Sequence, residues 1–361
     1  MRIIIRVDAS TDIGTGHVIR CLTLATSLKK NQHEVTFICR DLSGNLISHI
    51  EQDGFDVITL TQADDASDNN DYVSHAGWLK VGWQTDADES SRSLSNVGDI
   101  DWIIIDHYAL DKRWESELRH HSRFMMAIDD LADREHDVDI LLDQNLYPDM
   151  EKRYAHLVTE VCLMLIGPQY TLLREEFTSL LADIEPRTQL KNLLVFFGGV
   201  DAQNLTMKTI DAIQQLDKNL NVTVIIGNTN PHKQALFDRC SKSENIQCFH
   251  NVTNMAQLML KADLAIGAGG TTTWERCYLG LPAIVVTLAH NQAAVNRAVA
   301  EQGACILAGD TTVTENEIKT QLSGIIDNPE FIHEISVSAL AIMQNHLGVK
   351  SVTRTMESFD A

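Results

Sequence analysis

The sequence predicts an α/β protein with two successive parallel-sheet domains. Three observations carry this prediction: a length of 361 residues, an ordinary composition with 44% apolar and 22% charged residues, and short β-branched runs that alternate with helical patterns. The runs are continuously apolar, as buried parallel strands are. Two successive α/β halves predict two Rossmann-like domains that face each other across a cleft, and such sheets bind ligands outside the carboxyl ends of their strands.

Six runs predict the strands of a first domain, residues 1–150. They lie at 2–7, 34–39, 56–60, 102–106, 124–129 and 139–142. Between the first two runs, apolar residues recur at helical spacing from Val18 to Leu28, which predicts a helix with one buried face. Residues 61–99 interrupt the pattern with acidic and polar residues, and we interpret them as a solvated surface excursion without chemistry.

A second series of six runs begins near residue 191. It predicts a second domain over residues 191–361 that ends in a helical tail, with residues 151–190 joining the two domains. The runs lie at 192–199, 221–227, 246–249, 262–270, 282–288 and 304–307.

The net charge of −21 is unevenly distributed. Residues 1–150 contain 13 Lys and Arg against 28 Asp and Glu, a balance of −15, which leaves −6 for residues 151–361. This excess of carboxylates argues against nucleic acid and against an anionic membrane as partners. A phosphate-bearing ligand is therefore expected on the second half, held by backbone N–H groups.

Cysteine and histidine spacing predicts neither a disulfide framework nor a metal site. The seven cysteines form no CxxC pair, no HExxH is present, and neither a signal peptide nor a membrane span is recognised. We therefore predict a cytoplasmic protein that uses no metal and no cofactor. The oligomeric state stays open, and a monomer fits the sequence.

The loop after the first run, DASTDIGTGH, ends in a histidine at a predicted helix start. Gly14 and Gly16 permit backbone conformations closed to other residues, but their spacing is neither the dinucleotide fingerprint nor a Walker loop. The positive end of the helix dipole disfavours an imidazolium, so His17 suits a general base. The alternative is a histidine that only caps or packs against the turn.

Polar residues also follow the fourth and fifth runs. Asp106, His107 and Tyr108 follow the fourth, where Asp106 could orient a neighbouring histidine by a hydrogen bond. Asp129 and Asp130 follow the fifth, and we expect one of this pair to cap the next turn. The sequence does not show which.

Two loops of the second half carry glycines at strand ends. Gly198 and Gly199 allow close backbone approach, and the glycines and threonines of 267–273 open a helix and form a phosphate cradle. Glu275 follows one turn later, where a carboxylate could accept hydrogen bonds from ribose hydroxyls. The alternatives are tight strand-to-helix packing for the glycines and a salt-bridged acid for Glu275. The next strand end offers His290, Asn291 and Gln292.

The joining segment contains IGPQYTLLREEF. Its Tyr170 and Arg174 are interpreted as hinge packing. Because a joining segment also lines a cleft, a ligand contact by Tyr170 is the alternative.

These loops together resemble one family. The motifs, in order, are DxSxxIGTGHxxRCLxLA, DHYxLDxxWE, AIDDLADRxHDxDxLLDQN, GPQYxLLRxEF, FFGGxD and GAGGTTxWERCxLGLP, over residues 1 to about 300. They resemble the UDP-sugar hydrolases of pseudaminic acid biosynthesis, a group that includes the spore-coat polysaccharide protein family. The last motif is less specific, because the lipid-linked peptidoglycan GlcNAc transferases have a similar loop.

The resemblance implies a GT-B fold and hydrolysis of UDP-2,4-diacetamido-2,4,6-trideoxy-β-L-altropyranose to the free L-altrose derivative and UDP. It implies inversion at the anomeric carbon without a metal, with His17 as general base. The implied UDP contacts are Gly198, Gly199, Gly269, Gly270, Thr271, Thr272 and Glu275. The candidates for substrate contacts or for orienting His17 are Asp8, Gly14, Gly16, Asp106, Tyr108, Tyr170, Asn291 and Gln292.

Two other functions fit the same residues. A GT-B glycosyltransferase would hold the UDP-sugar in the same way but use a soluble hydroxyl acceptor in place of water. A lipid acceptor would require an apolar or basic docking patch, which the charge of the first domain disfavours. A non-catalytic nucleotide-binding module would not require the histidine. The exact sugar also stays open among related bacillosamine- and legionaminic-type substrates.

Overall fold

The computed structural model describes residues 1–61, 71–180, 184–216 and 218–359. The chain forms two compact units, here named unit 1 (Met1–Leu172 and Leu347–Ala361) and unit 2 (Leu173–His346). Each unit has its own parallel sheet, so the predicted class of two parallel-sheet α/β domains is confirmed. The units divide the chain after Leu172 and not at the predicted 150 and 190, and the final helix returns to unit 1.

The strands of unit 1 form one seven-stranded sheet. They are β1 Arg2–Val7, β2 Glu34–Arg40, β3 Asp56–Leu60, β4 Ile100–Asp106, β5 Ser122–Ile128, β6 Ile140–Asp143 and β7 Leu163–Ile166. Their order is β3-β2-β1-β4-β5-β6-β7, and all pairs are parallel. The six predicted runs all become strands. β7 was not predicted, because its apolar run lies in residues 151–190, which were interpreted as a joining segment; it forms an edge strand on which Leu163 and Met164 stay partly exposed.

The helices of unit 1 include four that connect its first five strands, as parallel pairing requires. They are α1 Gly16–Lys30, α2 Ile47–Gln52, α3 Trp83–Leu94, α4 Lys112–Leu118 and the returning helix α13 Gly348–Glu357, with short 3₁₀ helices at Ala76–Leu79, Arg119–His121, Met150–Lys152 and Pro168–Tyr170. The predicted apolar face of α1 is buried from Val18 to Leu28. Val352 and Met356 of α13 belong to the same core as α1.

Unit 2 repeats this architecture with six strands. They are β8 Asn192–Phe196, β9 Asn221–Ile226, β10 Ile246–His250, β11 Leu264–Ala268, β12 Ala283–Thr287 and β13 Ile306–Asp310, in the order β10-β9-β8-β11-β12-β13. The helices are α5 Glu175–Thr178, α6 Leu205–Gln214, α7 Lys233–Cys240, α8 Met255–Lys261, α9 Thr271–Tyr278, α10 His290–Glu301, α11 Glu315–Asp327 and α12 Pro329–Ile342. All six strands that the sequence predicts for this half are present.

Each sheet reverses its strand order once beside its first strand. In unit 1 the reversal lies between β1 and β4, whose register pairs Val7 with Asp106. In unit 2 it lies between β8 and β11, whose register pairs Phe196 with Gly267. At such a switch point the two loops that leave the carboxyl ends run in opposite directions and open a crevice. The candidate residues of each unit therefore gather at these two points.

Candidate active site

His17 is the second residue of α1 and lies beside the switch point of unit 1. The turn that precedes it closes through the N–H of Gly14, which donates to the carbonyl oxygen of Ser10 at 2.8 Å. Gly14 has a φ of 81°, a left-handed conformation that other residues rarely adopt, and Gly16 begins the helix. His17 is 8% exposed, so its ring is largely enclosed.

Asp106 fixes the orientation of the His17 ring. Nδ1 of His17 lies 2.6 Å from Oδ1 of Asp106, and Arg20 donates to both oxygens of that carboxylate at 2.6 Å. Burial alone would raise the pKa of Asp106, but Arg20 and His17 hold it well below its usual range. An ionised carboxylate only accepts hydrogen bonds, so Nδ1 of His17 is the donor in this pair, and in a neutral ring Nε2 is then the atom that can accept a proton.

Three aromatic side chains form a cluster beside this histidine. The ring of Tyr108 meets His17 edge-on at 4.5 Å between centroids, Trp78 stacks on Tyr108 at 5.6 Å, and His75 meets Trp78 at 4.5 Å. Burial lowers the pKa of His75, which favours its neutral ring. The interpretation of residues 61–99 as a solvated surface excursion is therefore wrong at 75–78, which lie beside His17, and in α3, where Asp86, Ala87 and Ser90 are buried. Residues 62–70 lie outside the described residues.

The adjacent carboxylates Asp129 and Asp130 have different tasks. Asp129 accepts the N–H of Ala132 at 2.9 Å, so it is the member of the pair that caps the turn. Asp130 instead accepts the hydroxyl proton of Tyr108 and a hydrogen bond from Arg20 at 3.1 Å. Arg20 therefore links the two carboxylates, Asp106 and Asp130, that fix His17 and Tyr108.

Asp8 is enclosed by protein groups. It is 1% exposed, Arg6 donates to both of its oxygens at 2.6 and 2.8 Å, and the backbone N–H of Arg40 donates at 2.7 Å. Nε2 of His107 lies 3.3 Å from the same carboxylate. With its oxygens engaged, Asp8 organises the sheet beneath the loop, and its contacts do not reach His17.

Asp86 is a second buried carboxylate beside Arg6. Together with Asp8, Arg40 and the indole of Trp114, these two residues form a buried network of ion pairs and hydrogen bonds. Asp86, from α3, pairs with Arg6 at 2.7 Å and with Arg40 at 2.8 Å. It also accepts the indole N–H of Trp114 at 3.0 Å. Burial would raise the pKa of Asp86, but the two guanidinium groups hold it below its usual range.

The glycines of unit 2 lie where backbones approach closely. Gly198 has a φ of 84° and open space beside it, whereas a Cβ on Gly227 would lie 2.2 Å from the carbonyl oxygen of Gly198. Gly199 accepts the N–H of Thr229 at 3.2 Å. Gly227 was not among the predicted site residues, although its position directly after a strand was the available signal.

The loop 267–272 leads into α9. A Cβ on Gly267 would lie 2.1 Å from the backbone oxygen of Phe196, and one on Gly269 would lie 2.2 Å from Oδ1 of Asn296. Gly270 has a φ of 92° and caps the helix, in which Thr271 and Thr272 form the first turn. The loop therefore presents backbone N–H groups at a helix N-terminus, a geometry suited to an anion.

Arg276 supports this loop from within the protein. Its guanidinium donates to the carbonyl oxygen of Ala268 at 3.0 Å and to the hydroxyls of Thr272 and Thr273 at 3.3 Å. Arg276 is 4% exposed and forms no ion pair within the described part of the chain, and its burial lowers its pKa. A positive charge without a carboxylate partner thus lies behind the loop. This residue was not among the predicted site residues.

Glu275 is buried beside the same loop and has two unequal oxygens. Arg174 donates to Oε1 from Nε at 3.0 Å and from Nη2 at 2.9 Å. Oε2 is buried and has no hydrogen-bond partner among the described residues. Burial raises the pKa of Glu275 and Arg174 opposes that rise. Glu275 thus forms the salt bridge that the sequence offered as one alternative, through Oε1, while Oε2 is an acceptor without a donor among the described residues.

Three further candidates lie at the edges of these sites. Gln292 accepts the N–H of Leu288 at 3.1 Å, and its side-chain nitrogen approaches Gly270. Asn291 lies in the first turn of α10. Tyr170 ends a 3₁₀ helix and packs against the core of unit 1.

Within the described residues, no group of three or more His, Cys, Asp or Glu side chains has an arrangement that could hold a metal ion. The helices of the same residues include none that is long and apolar enough to cross a membrane.

Comparison with known proteins places these sites in a context. Residues 192–348 match the glycosyltransferase family 28 C-terminal domain. An uncharacterized protein of Methanocaldococcus jannaschii is 29% identical over 79% of this chain and 55% of its own length. The spore coat polysaccharide biosynthesis protein SpsG of Bacillus subtilis is 30% identical over 45% of this chain and 49% of its own. The chain thus spans about half the length of these two relatives.

A third relative is matched over nearly all of its length. The UDP-2,4-diacetamido-2,4,6-trideoxy-β-L-altropyranose hydrolase of Campylobacter jejuni is 25% identical over 84% of this chain and 97% of that enzyme. The chain is a distant homologue of these proteins.

Among solved structures, MurG of Acinetobacter baumannii superposes with a TM-score of 0.67 at 16% identity, covering 99% of both chains. At this identity the likeness concerns the fold alone, and it confirms the GT-B prediction.

Proposed function

We propose that the protein hydrolyses UDP-2,4-diacetamido-2,4,6-trideoxy-β-L-altropyranose to UDP and the free sugar. The observation that carries the proposal is the His17–Asp106 pair, which leaves Nε2 of His17 as a proton acceptor. The Campylobacter hydrolase, matched over 97% of its length, supports the choice of substrate. The anion-binding geometry of loop 267–272 supports the choice of a nucleotide diphosphate as leaving group.

His17 acts on water in this reaction. Nε2 takes a proton from a water molecule whose oxygen attacks the anomeric carbon, while the bond from that carbon to the diphosphate oxygen breaks. The electron pair of the broken bond stays on UDP, and the configuration of the carbon inverts. Asp106 stabilises the imidazolium that forms, as the acidic partner of a catalytic histidine does. The imidazolium then returns its proton to solvent.

The loops of unit 2 hold UDP. The backbone N–H groups of Gly198, Gly199, Gly269 and Gly270, with the hydroxyls of Thr271 and Thr272, bind the diphosphate. The N-terminus of α9 and the buried charge of Arg276 stabilise the negative charge that collects on it. Glu275 accepts hydrogen bonds from the ribose.

The remaining candidates contact the sugar. Gly14 and Gly16 let the loop before α1 approach the ring, and Tyr108 forms one side of the space around His17. Tyr170, Asn291 and Gln292 are proposed as further sugar contacts.

The second candidate function is glycosyl transfer to a soluble hydroxyl acceptor. It is favoured by the glycosyltransferase family that residues 192–348 match. Both functions use the same base and the same leaving group, so they differ in what occupies the place of the attacking water.

The deciding experiment incubates the purified protein with the UDP-sugar and no acceptor, following UDP and sugar by proton NMR. We expect one free sugar per UDP, with the inverted anomer appearing first. If the UDP-sugar stays intact until a soluble hydroxyl compound is added and then becomes glycosylated, the transferase function replaces the hydrolase. We expect the rate to survive EDTA, because backbone and helix dipoles neutralise the diphosphate; a loss restored by Mg²⁺ would contradict this.

Replacement of His17 tests the general base. His17→Leu is expected to lower turnover by about 10²–10⁴-fold, the usual contribution of a general base, while UDP still binds. His136→Leu is the matched control, because His136 is a buried histidine of the same unit that pairs with Glu115 at 2.7 Å. Its turnover per folded molecule should equal the wild-type value. Turnover within threefold of wild type in His17→Leu would remove His17 from this role.

A further inference from the structure

Arg174 connects two glutamates of unit 2. It lies just before α5 and directs Nε and Nη2 to Oε1 of Glu275, at 3.0 and 2.9 Å. Its remaining terminal nitrogen, Nη1, contacts the carboxylate of Glu176. Glu176 in turn accepts the N–H of Ala256 at 3.0 Å. The guanidinium is thus held between two carboxylates, one of which is itself fixed by the backbone of Ala256.

This arrangement treats the two oxygens of Glu275 differently. Oε1 receives both N–H groups of Arg174, whereas Oε2 is buried without a partner among the described residues. A buried acceptor without a hydrogen bond is unfavourable, and such a vacancy indicates a donor that the bound ligand supplies. Because Glu275 is 6% exposed, that donor has to reach a nearly enclosed position.

We propose that Arg174 is the positioning residue of the nucleotide site: it orients the Glu275 carboxylate through Oε1, so that Oε2 stays free for the ribose hydroxyls of UDP. The inference rests on the proposed function in one respect, the binding of a uridine nucleotide by unit 2. Arg174 then contributes to specificity without touching the ligand, because the preference for ribose over analogues that lack its 2′- and 3′-hydroxyls depends on how Glu275 is oriented.

The orientation of Glu275 by Arg174 should make ribose binding depend on pH. The charged groups that face Glu275 are Arg174 and Glu176 from the segment around α5, and Arg276 from its own helix. Burial raises the pKa of Glu275, with Arg174 as the main opposing group. Without Arg174 the carboxyl takes up a proton at higher pH, and a neutral acid loses the charge-assisted hydrogen bonds to ribose. Its affinity for ribose then recovers as the pH rises and the proton leaves.

The test uses the full chain and calorimetric titration with UDP and with 2′,3′-dideoxy-UDP, between pH 5.5 and 8.5. Arg174→Met should bind UDP about tenfold more weakly at pH 7, because its Glu275 no longer holds the ribose hydroxyls in place; a tenfold loss corresponds to about 1.4 kcal/mol, the size of one hydrogen bond. Its affinity for the dideoxy analogue, which lacks those hydroxyls, should be unchanged. Its UDP affinity should rise with pH more steeply than that of wild type. Arg174→Lys should keep the wild-type pH profile, since it keeps the charge.

Arg239→Met is the matched control. Arg239 is 32% exposed against 33% for Arg174, and it also directs two nitrogens to one carboxylate oxygen, that of Asp211. It should leave both affinities unchanged. Equal losses for UDP and the dideoxy analogue in Arg174→Met, or no loss for either in Arg174→Met and Arg174→Lys, would overturn the inference. A wild-type protein that binds neither ligand would overturn the proposed function itself, and the inference with it.

Discussion

The candidate residues of the two units lie at equivalent switch points, but the groups that form the two sites differ in chemistry. In unit 1 the neighbourhood of β1 and β4 contains buried guanidinium and carboxylate groups, among them Arg6, Asp8 and Asp106. In unit 2 the neighbourhood of β8 and β11 contains Gly267 and Gly269, positions at which a Cβ would overlap other atoms. One site is built from side-chain charge and the other mainly from the backbone.

The difference agrees with the function proposed for each site. A histidine that accepts a proton needs one ring orientation and one tautomer, which only neighbouring side chains such as Asp106 can impose. A phosphate group has several oxygens and needs many N–H donors at short range, which only an uncovered backbone provides. The comparison teaches that unit 1 depends on ion pairs and unit 2 on the absence of side chains.

The largest expected effect comes from adding a side chain at a close backbone contact of unit 2. In Gly267→Ala the new methyl group would lie 2.1 Å from the backbone oxygen of Phe196, which no side-chain movement relieves. We expect unit 2 to lose about 4–5 kcal/mol of stability. Hydrogen exchange of amides in β8 and β11 measures this loss. Gly324→Ala in α11 is the control, with no atom within 4 Å of the new methyl group, and it should be neutral or slightly stabilising.

The next effect concerns the charge network of unit 1. Asp86→Asn leaves Arg6 and Arg40 buried with one negative partner fewer, so we expect a loss of about 3–4 kcal/mol, measured by urea unfolding at pH 7. The pKa of Asp86 lies below its usual range in the folded state, so its stabilisation is present above about pH 4 and is lost on acidification. The difference between variant and wild type should therefore shrink below pH 4.

A surface pair provides the control for this variant. Asp211 pairs with Arg239 at 2.6 Å, but both side chains are about 30% exposed. Asp211→Asn should change stability by less than about 1 kcal/mol. If Asp86→Asn and Asp211→Asn lower the free energy of unfolding equally, the buried ion pairs of unit 1 contribute no more to stability than an exposed pair.

The smallest effect sharpens the comparison, because it concerns a carboxyl group in unit 1 that burial keeps neutral. Burial and the nearby Asp130 raise the pKa of Asp143 to about 8. The hydroxyl of Tyr154 lies 3.0 Å from Asp143 and 3.0 Å from Asp129, whose pKa stays well below its usual range despite its burial. Tyr154 therefore donates to Asp129 and accepts the proton of Asp143.

Asn is the isostere of that protonated carboxyl group. A raised pKa in the folded state gives a contribution that is full below about pH 4 and lost as the pH rises to 8. Asp143→Asn removes this dependence, so its stability relative to wild type should improve as the pH rises, by about 1 kcal/mol between pH 7 and pH 8. Denaturant unfolding at several pH values measures the slope. Parallel curves for the two proteins would show that Asp143 is ionised when folded.

The sequence predicted the parts of the fold that depend on local pattern. All twelve predicted runs became strands, because buried parallel strands are uninterrupted apolar segments that a reader can recognise one at a time. The missed strand, β7, lies in the uninterrupted apolar run 161–166, so the same signal was present there, but residues 151–190 were interpreted as a joining segment. The return of α13 to unit 1 was invisible, since its amphipathic pattern does not say which sheet it covers.

The candidate sites were harder to predict where distant residues meet. Loop position was sufficient to find His17, Asp106 and Glu275. Trp78 lies in a stretch of ordinary polar composition, and only the folded chain brings it near Tyr108. Arg6 was a signal that could have been used: a charged residue inside the apolar run RIIIRV requires buried carboxylate partners.

The return of α13 to unit 1 sets an order of events during synthesis. Residues 173–346 leave the ribosome before residues 348–357, so unit 2 has its whole sequence available while unit 1 still lacks a helix. Until Val352 and Met356 arrive, the apolar surface that they cover in the core of unit 1 stays open to chaperones. In this chain, therefore, the unit that is begun first is the one that is finished last.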